Sequence, residues 1–71
     1  MAYIYSMVIN RVKALRAEKS ITQQQLAEAL GVIRQTVIAI EQNRYRPSVE
    51  LALKIAHYFK VSVEDAFQLK D

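Results

Sequence analysis

The sequence predicts an all-α domain built from five short helices, and three observations lead there. Apolar residues recur at helical spacing in short blocks, such as Val8, Val12 and Leu15, or Leu26, Ala27 and Leu30. Residues that start and stop helices stand between the blocks: Thr22, Ser48 and Ser62 as N-caps, Gly31 and Asn43 as left-handed stops. Finally, a chain of 71 residues without cysteine is near the lower limit for a self-sufficient core, so helix packing must stabilise it, with dimerisation as a further source.

Taken in order, helix one is expected over Ile9–Lys19, with Ser20 ending it and Ile21 tucking inward. Helix two runs over Gln23–Leu30 behind the Thr22 cap, and Gly31, the only glycine, closes it. Helix three is expected over Ile33–Gln42 and stops at Asn43, the residue type next most tolerant of the left-handed turn. Pro47 and Ser48 open helix four, in which Leu51, Ala52, Ile55, Ala56 and Phe59 face inward. Ser62 caps a fifth helix with Val63 and Phe67 buried and Glu64 and Asp65 near its positive end. Residues 8–71 thus form one domain, and 1–7 an apolar extension whose alternating Tyr3, Tyr5 and Met7 suit a short strand pairing within a dimer; Met7 is an alternative start.

Helix three carries the most informative pattern. At about 100° per residue, Ile33, Val37, Ile40 and roughly Thr36 fall on one side, which is core. The other side receives Gln35, Ile38, Ala39 and Gln42, with Arg34 at its edge. An arginine can grip guanine O6 and N7, and a glutamine adenine N6 and N7, so a helix showing this stripe suits a DNA groove. The net charge of +3 is modest, but its placement is not uniform. From Arg34 to Arg46 there are three arginines and one carboxylate, Glu41, whereas the stretch from Ser62 is acidic. Positive charge beside a groove-facing helix is the footprint of phosphate contact.

The residues Arg16, Ile21-Thr22-Gln23, Leu26-Ala27, Leu30-Gly31-Val32, Arg34-Gln35-Thr36, Ile40-Glu41, Tyr45, Pro47-Ser48, Leu51, Ile55-Ala56 and Val61-Ser62-Val63 keep one order and spacing. In that order and spacing, Val8–Phe67 resembles the helix-turn-helix domain of the Cro and phage-repressor (Xre) family. The resemblance implies a five-helix, lambda-repressor-like domain that binds palindromic double-stranded operator DNA as a homodimer, acting as a transcriptional regulator and repressor in the cytoplasm. It places Gln23–Leu30 across the backbone and the recognition helix, 33–42, in the major groove. It also implies contact between Arg16 and Glu41, single charges beside apolar stripes.

The DNA-binding set expected from these readings is Thr22, Gln23, Arg34, Gln35, Thr36, Ile38, Ala39, Gln42, Asn43, Arg44, Tyr45 and Arg46. Arg34 pairs with guanine, Gln35 reads adenine or braces a phosphate neighbour, Thr36 meets backbone, and Ile38, with Ile33 or Ala39 beside it, touches thymine methyls. Gln23 at the positive end of helix two binds one phosphate, and Asn43 to Arg46 hold another. This chain departs from the family in having Ile33 where Ser or Thr commonly caps the recognition helix, Gln42-Asn43 in place of Asn-Gly, and apolar Ile38 and Ala39 among the readers. The dimer contact is expected at the chain ends, from Tyr3, Ile4 and Tyr5 and around Tyr58, Phe67 and Leu69.

Other chemistries find no support. His57 is the sole histidine and has no thiol or carboxylate cluster at ligand spacing. Glu64 and Asp65 are adjacent, so on a helix they diverge and cannot flank one substrate. A single glycine forms no phosphate-cradling loop. No enzyme activity, cofactor or metal is expected. No apolar run nears the roughly 18–20 residues of a membrane span, and Met1–Val8 is too short and lacks the basic leader of a signal peptide. The rival reading is a protein-interaction module or antitoxin presenting Ile33, Ile38 and Ala39 to a protein partner from the same helix-turn-helix surface.

Overall fold

A computed structural model describes residues 7–70. The elements in order are β1 (Met7–Asn10), α1 (Val12–Glu18), α2 (Gln23–Leu30), α3 (Arg34–Glu41), α4 (Val49–Phe59), α5 (Val63–Ala66) and β2 (Phe67–Lys70). The five expected helices are present, but the fold is not strictly all-α. β1 and β2 form a two-stranded antiparallel sheet in the register Met7↔Lys70, Val8↔Leu69, Ile9↔Gln68 and Asn10↔Phe67. The ladder continues as the Arg11 amide donates to the Ala66 carbonyl at 2.9 Å.

The sheet corrects two expectations. Helix one was placed from Ile9, yet Met7–Asn10 is extended and α1 starts at Val12. Phe67, expected on helix five, lies half-buried in β2, and Ala66 is the residue that α5 buries. The proposed dimer strand, 1–7, falls outside the described residues except for Met7, whose partner is Lys70 of its own chain.

Local chemistry accounts for the helix ends. The Thr22 hydroxyl accepts from the Gln25 amide at 3.0 Å, and the Gln25 side chain accepts from the Thr22 amide at 2.8 Å, a reciprocal cap for α2. Ser48 and Ser62 accept from the Leu51 and Asp65 amides at 3.1 and 3.0 Å. Gly31 takes φ +75 and Asn43 φ +59, as the sequence predicts for left-handed stops. Lys60 ends α4 in the same conformation, at φ +59.

The core gathers one stripe from each helix: Val12 and Leu15; Leu26, Ala27 and Leu30; Val37 and Ile40; Leu51, Ile55 and Phe59; and Ala66. Leu26, Ile40, Ile55, Val12 and Val37 are almost wholly removed from solvent. Each such side chain contributes about 1.5–3 kcal/mol by burial, which is the main stabilising term in a chain this short. Tyr58 packs against that core, edge-on to Phe59 with ring centroids 5.1 Å apart.

Candidate nucleic-acid interface

The α2–turn–α3 unit is fixed from beneath by a part-buried ion pair. Arg16 Nε donates to Glu41 Oε2 at 2.8 Å and Arg16 Nη2 to Glu41 Oε1 at 3.3 Å. The two side chains are 16% and 4% exposed. The remaining capacity is filled too: Arg16 Nη1 donates to the Ile21 carbonyl at 3.0 Å, and Gln23 Nε2 to Glu41 Oε1 at 3.1 Å. One carboxylate on α3 thereby holds α1, the 20–22 turn and the start of α2 together, which fixes how α3 sits on the body. The contact implied between Arg16 and Glu41 is made.

This network changes the position of Gln23. Expected as a phosphate ligand, it is half-buried with its amide donating to Glu41. Thr22 is exposed at the first turn of α2, with its hydroxyl engaged in the cap.

On α3, Val37 and Ile40 are buried, while Arg34 and Gln35 are exposed and Thr36 is half-buried. Ile33 departs from its expected core position: it is the N-cap, in extended backbone, and 66% exposed. Helical periodicity does not govern Ile33, because the residue precedes the helix. Its side chain cannot cap, and no side chain takes over that role at the start of α3. Ile38 and Ala39 are half-buried rather than fully outward, so the outer face is narrower and more polar than the sequence suggests. Gln42, Asn43, Arg44, Tyr45 and Arg46 are exposed beyond the end of α3.

Six of the expected residues fall into two groups, one at each end of α3. Thr22, Gln23 and Arg34 line one shallow polar depression, together with Arg16 and Gln24. Asn43, Tyr45 and Arg46 border a cleft against the terminal sheet, closed by Val8 and Phe67. The intervening helix spans about 12 Å at 1.5 Å per residue. Among the described residues, Arg34, Arg44 and Arg46 enter no ion pair, in contrast to Arg11 with Glu18 and Lys54 with Glu50. These guanidinium groups are available to an external anion.

Sequence reasoning missed Asn10. Its side chain donates to the Ile40 carbonyl and to Asn43 Oδ1, both at 2.8 Å. The only sequence signal is an Asn two residues before the first helical residue, a common turn position that says nothing about distant partners.

A helix-turn-helix family model matches residues 12–65. The uncharacterized HTH-type transcriptional regulator MJ0272 of Methanocaldococcus jannaschii is 52% identical over 62 residues, covering 87% of this chain and 94% of that protein. The immunity repressor protein of Bacillus phage phi105 is 38% identical over 53 residues, which is 75% of this chain but 37% of the repressor. A crystal structure from Bacteroides fragilis superposes with a TM-score of 0.78 at 31% identity, covering 87% of this chain and 100% of that one. With most of its length matched in sequence and in fold, the chain belongs to the helix-turn-helix family of Xre-type transcriptional regulators, a non-enzymatic family.

Proposed function

We propose that this chain binds an operator in double-stranded DNA sequence-specifically and acts there as a transcriptional repressor, with α3 in the major groove. The supporting observation is the uncommitted Arg34 beside exposed Gln35 at the leading end of α3, with the Thr22–Gln24 segment next to it and the exposed Asn43–Arg46 loop at the helix's other end. Arg34 donates to guanine, Gln35 reads adenine, and Ile38 and Ala39 border thymine methyls. Thr22, Thr36 and Gln42 meet the backbone at the groove's rim. The Asn43–Arg46 loop and the start of α2 engage phosphates on either side of the groove.

Two copies related by a two-fold axis would set their recognition helices about 34 Å apart and read a palindrome. Repression accords with the phage immunity repressor among the relatives, and the site of action is the cytoplasm. No helix among the described residues is long and apolar enough to cross a membrane. The protein-partner reading is weaker on this surface, since Ile33 is its one exposed large aliphatic side chain.

Titration with duplex DNA over a salt series separates the readings. DNA binding predicts log K falling linearly with log salt, by about 0.9 per phosphate neutralised. Absence of salt-dependent duplex binding would refute the proposal.

A further inference from the structure

We propose that Asn10 is a positioning residue for DNA binding: it ties the terminal sheet to the end of α3 and so aims the loop that carries Arg44 and Arg46. The inference rests on the operator reading above and names a residue outside the contact surface. Asn10 closes β1 opposite Phe67, and it is half-buried. Its Oδ1 accepts from the Val12 amide at 3.1 Å, which turns the chain into α1. Both Nδ2 hydrogens are used elsewhere, one on the Ile40 carbonyl and one on Asn43 Oδ1, each at 2.8 Å.

Both receiving groups sit where α3 becomes the loop. The Ile40 carbonyl belongs to the last turn, and it also accepts from the Asn43 amide at 3.0 Å. Asn43 takes φ +59, which its residue type tolerates, and the turn is closed by its own amide and that of Arg44, which donates to the Ala39 carbonyl at 2.9 Å; the Asn43 side chain is thereby left to take a bond from outside the turn. Asn10 supplies that bond from the sheet and so fixes the turn relative to the sheet. The direction in which the chain leaves Asn43 decides where Arg44, Tyr45 and Arg46 stand against a phosphate. The bond to Val12 is a local turn that a hydroxyl can reproduce, whereas the two donations to the end of α3 need the amide nitrogen.

Asn10→Ser isolates the two roles: it stays neutral, keeps an acceptor for Val12, and is too short to reach Ile40 and Asn43. The variant is titrated with an operator duplex and a random duplex between 50 and 200 mM salt, well below its melting temperature. Amide hydrogen exchange is followed at Arg44–Arg46. Misplacing one phosphate contact should lower the salt slope by about one unit and weaken binding about fivefold near 0.15 M salt. Loop amides should exchange faster, and the effects of Asn10→Ser and Asn43→Gly should be non-additive.

Wild-type affinity, slope and exchange in folded Asn10→Ser overturn the proposal. If Asn10→Ser loses its cooperative melt, Asn43→Gly decides alone. That variant removes one recipient and relieves the positive φ, so unchanged exchange at Arg44–Arg46 overturns it. Arg44→Ala serves as the reference: no change in its slope refutes phosphate binding by the loop itself, while a change there without one in Asn10→Ser refutes only the positioning.

Discussion

Arg16 and Glu41 orient the recognition helix on the body in a way that apolar contacts do not, because an ion pair is directional. The carboxylate is 4% exposed and receives three side-chain donors, two from Arg16 and one from Gln23. Removing the charge leaves a guanidinium desolvated without its partner, which in comparable settings costs about 3–5 kcal/mol. Glu41→Gln should therefore lower the unfolding free energy by that amount, read as a lower denaturant midpoint at unchanged m-value; a midpoint within error of wild type rejects a structural role. The loop arginines behave differently, being exposed and unpaired with any described carboxylate. Arg44→Ala should leave stability within about 0.5 kcal/mol. It should weaken operator and random DNA alike and reduce the salt slope by about one unit. A loss restricted to the operator would instead assign Arg44 to base reading.

At the scale of elements, what the sequence reveals is what local chemistry decides. Thr22, Ser48 and Ser62 cap as expected because each hydroxyl needs only the amide three residues on. Gly31 and Asn43 stop helices because their residue types tolerate positive φ. The terminal sheet was illegible for the opposite reason: its strands pair from near opposite ends of the chain. Val8 meanwhile fits the four-residue spacing to Val12 that reads as helix. Lys60 was missed because nothing about a lysine announces a left-handed turn.

Of the interface, the polar outer face of α3 and the arginine loop could be read in advance. The tether from Asn10 and the engagement of Gln23 by Glu41 could not, since each joins distant segments. The two local misfits give opposite remedies. Ile33→Ser should restore a cap and stabilise α3 by about 1 kcal/mol. Lys60→Gly should relieve the turn and stabilise by up to about 1 kcal/mol. Thermal melts check both, and a lower midpoint for either would contradict the geometry assigned to it.

For the whole molecule, the sheet fastens the two described ends of the chain together beside the loop that follows α3. Leu69 on β2 is 74% exposed, whereas Tyr58 and Phe67, also expected at a dimer contact, pack against their own core. Of the described residues expected at the two-fold contact, Leu69 is therefore the one whose apolar side chain stays exposed. Leu69→Glu should shift sedimentation from dimer to monomer at micromolar concentration and weaken operator binding more than random binding. A wild type that sediments as a monomer, with and without DNA, contradicts the dimer.

Whether α3 reads bases through Arg34 is decided by selecting binding sites from random DNA. Wild type and Arg34→Ala are each taken through repeated rounds and their selected sequences compared. Wild type should select a guanine at a fixed position in each half-site. That preference should be lost in Arg34→Ala, with about 1–3 kcal/mol less affinity for the wild-type site and the other positions retained. Identical base preferences from both proteins would contradict base reading by Arg34.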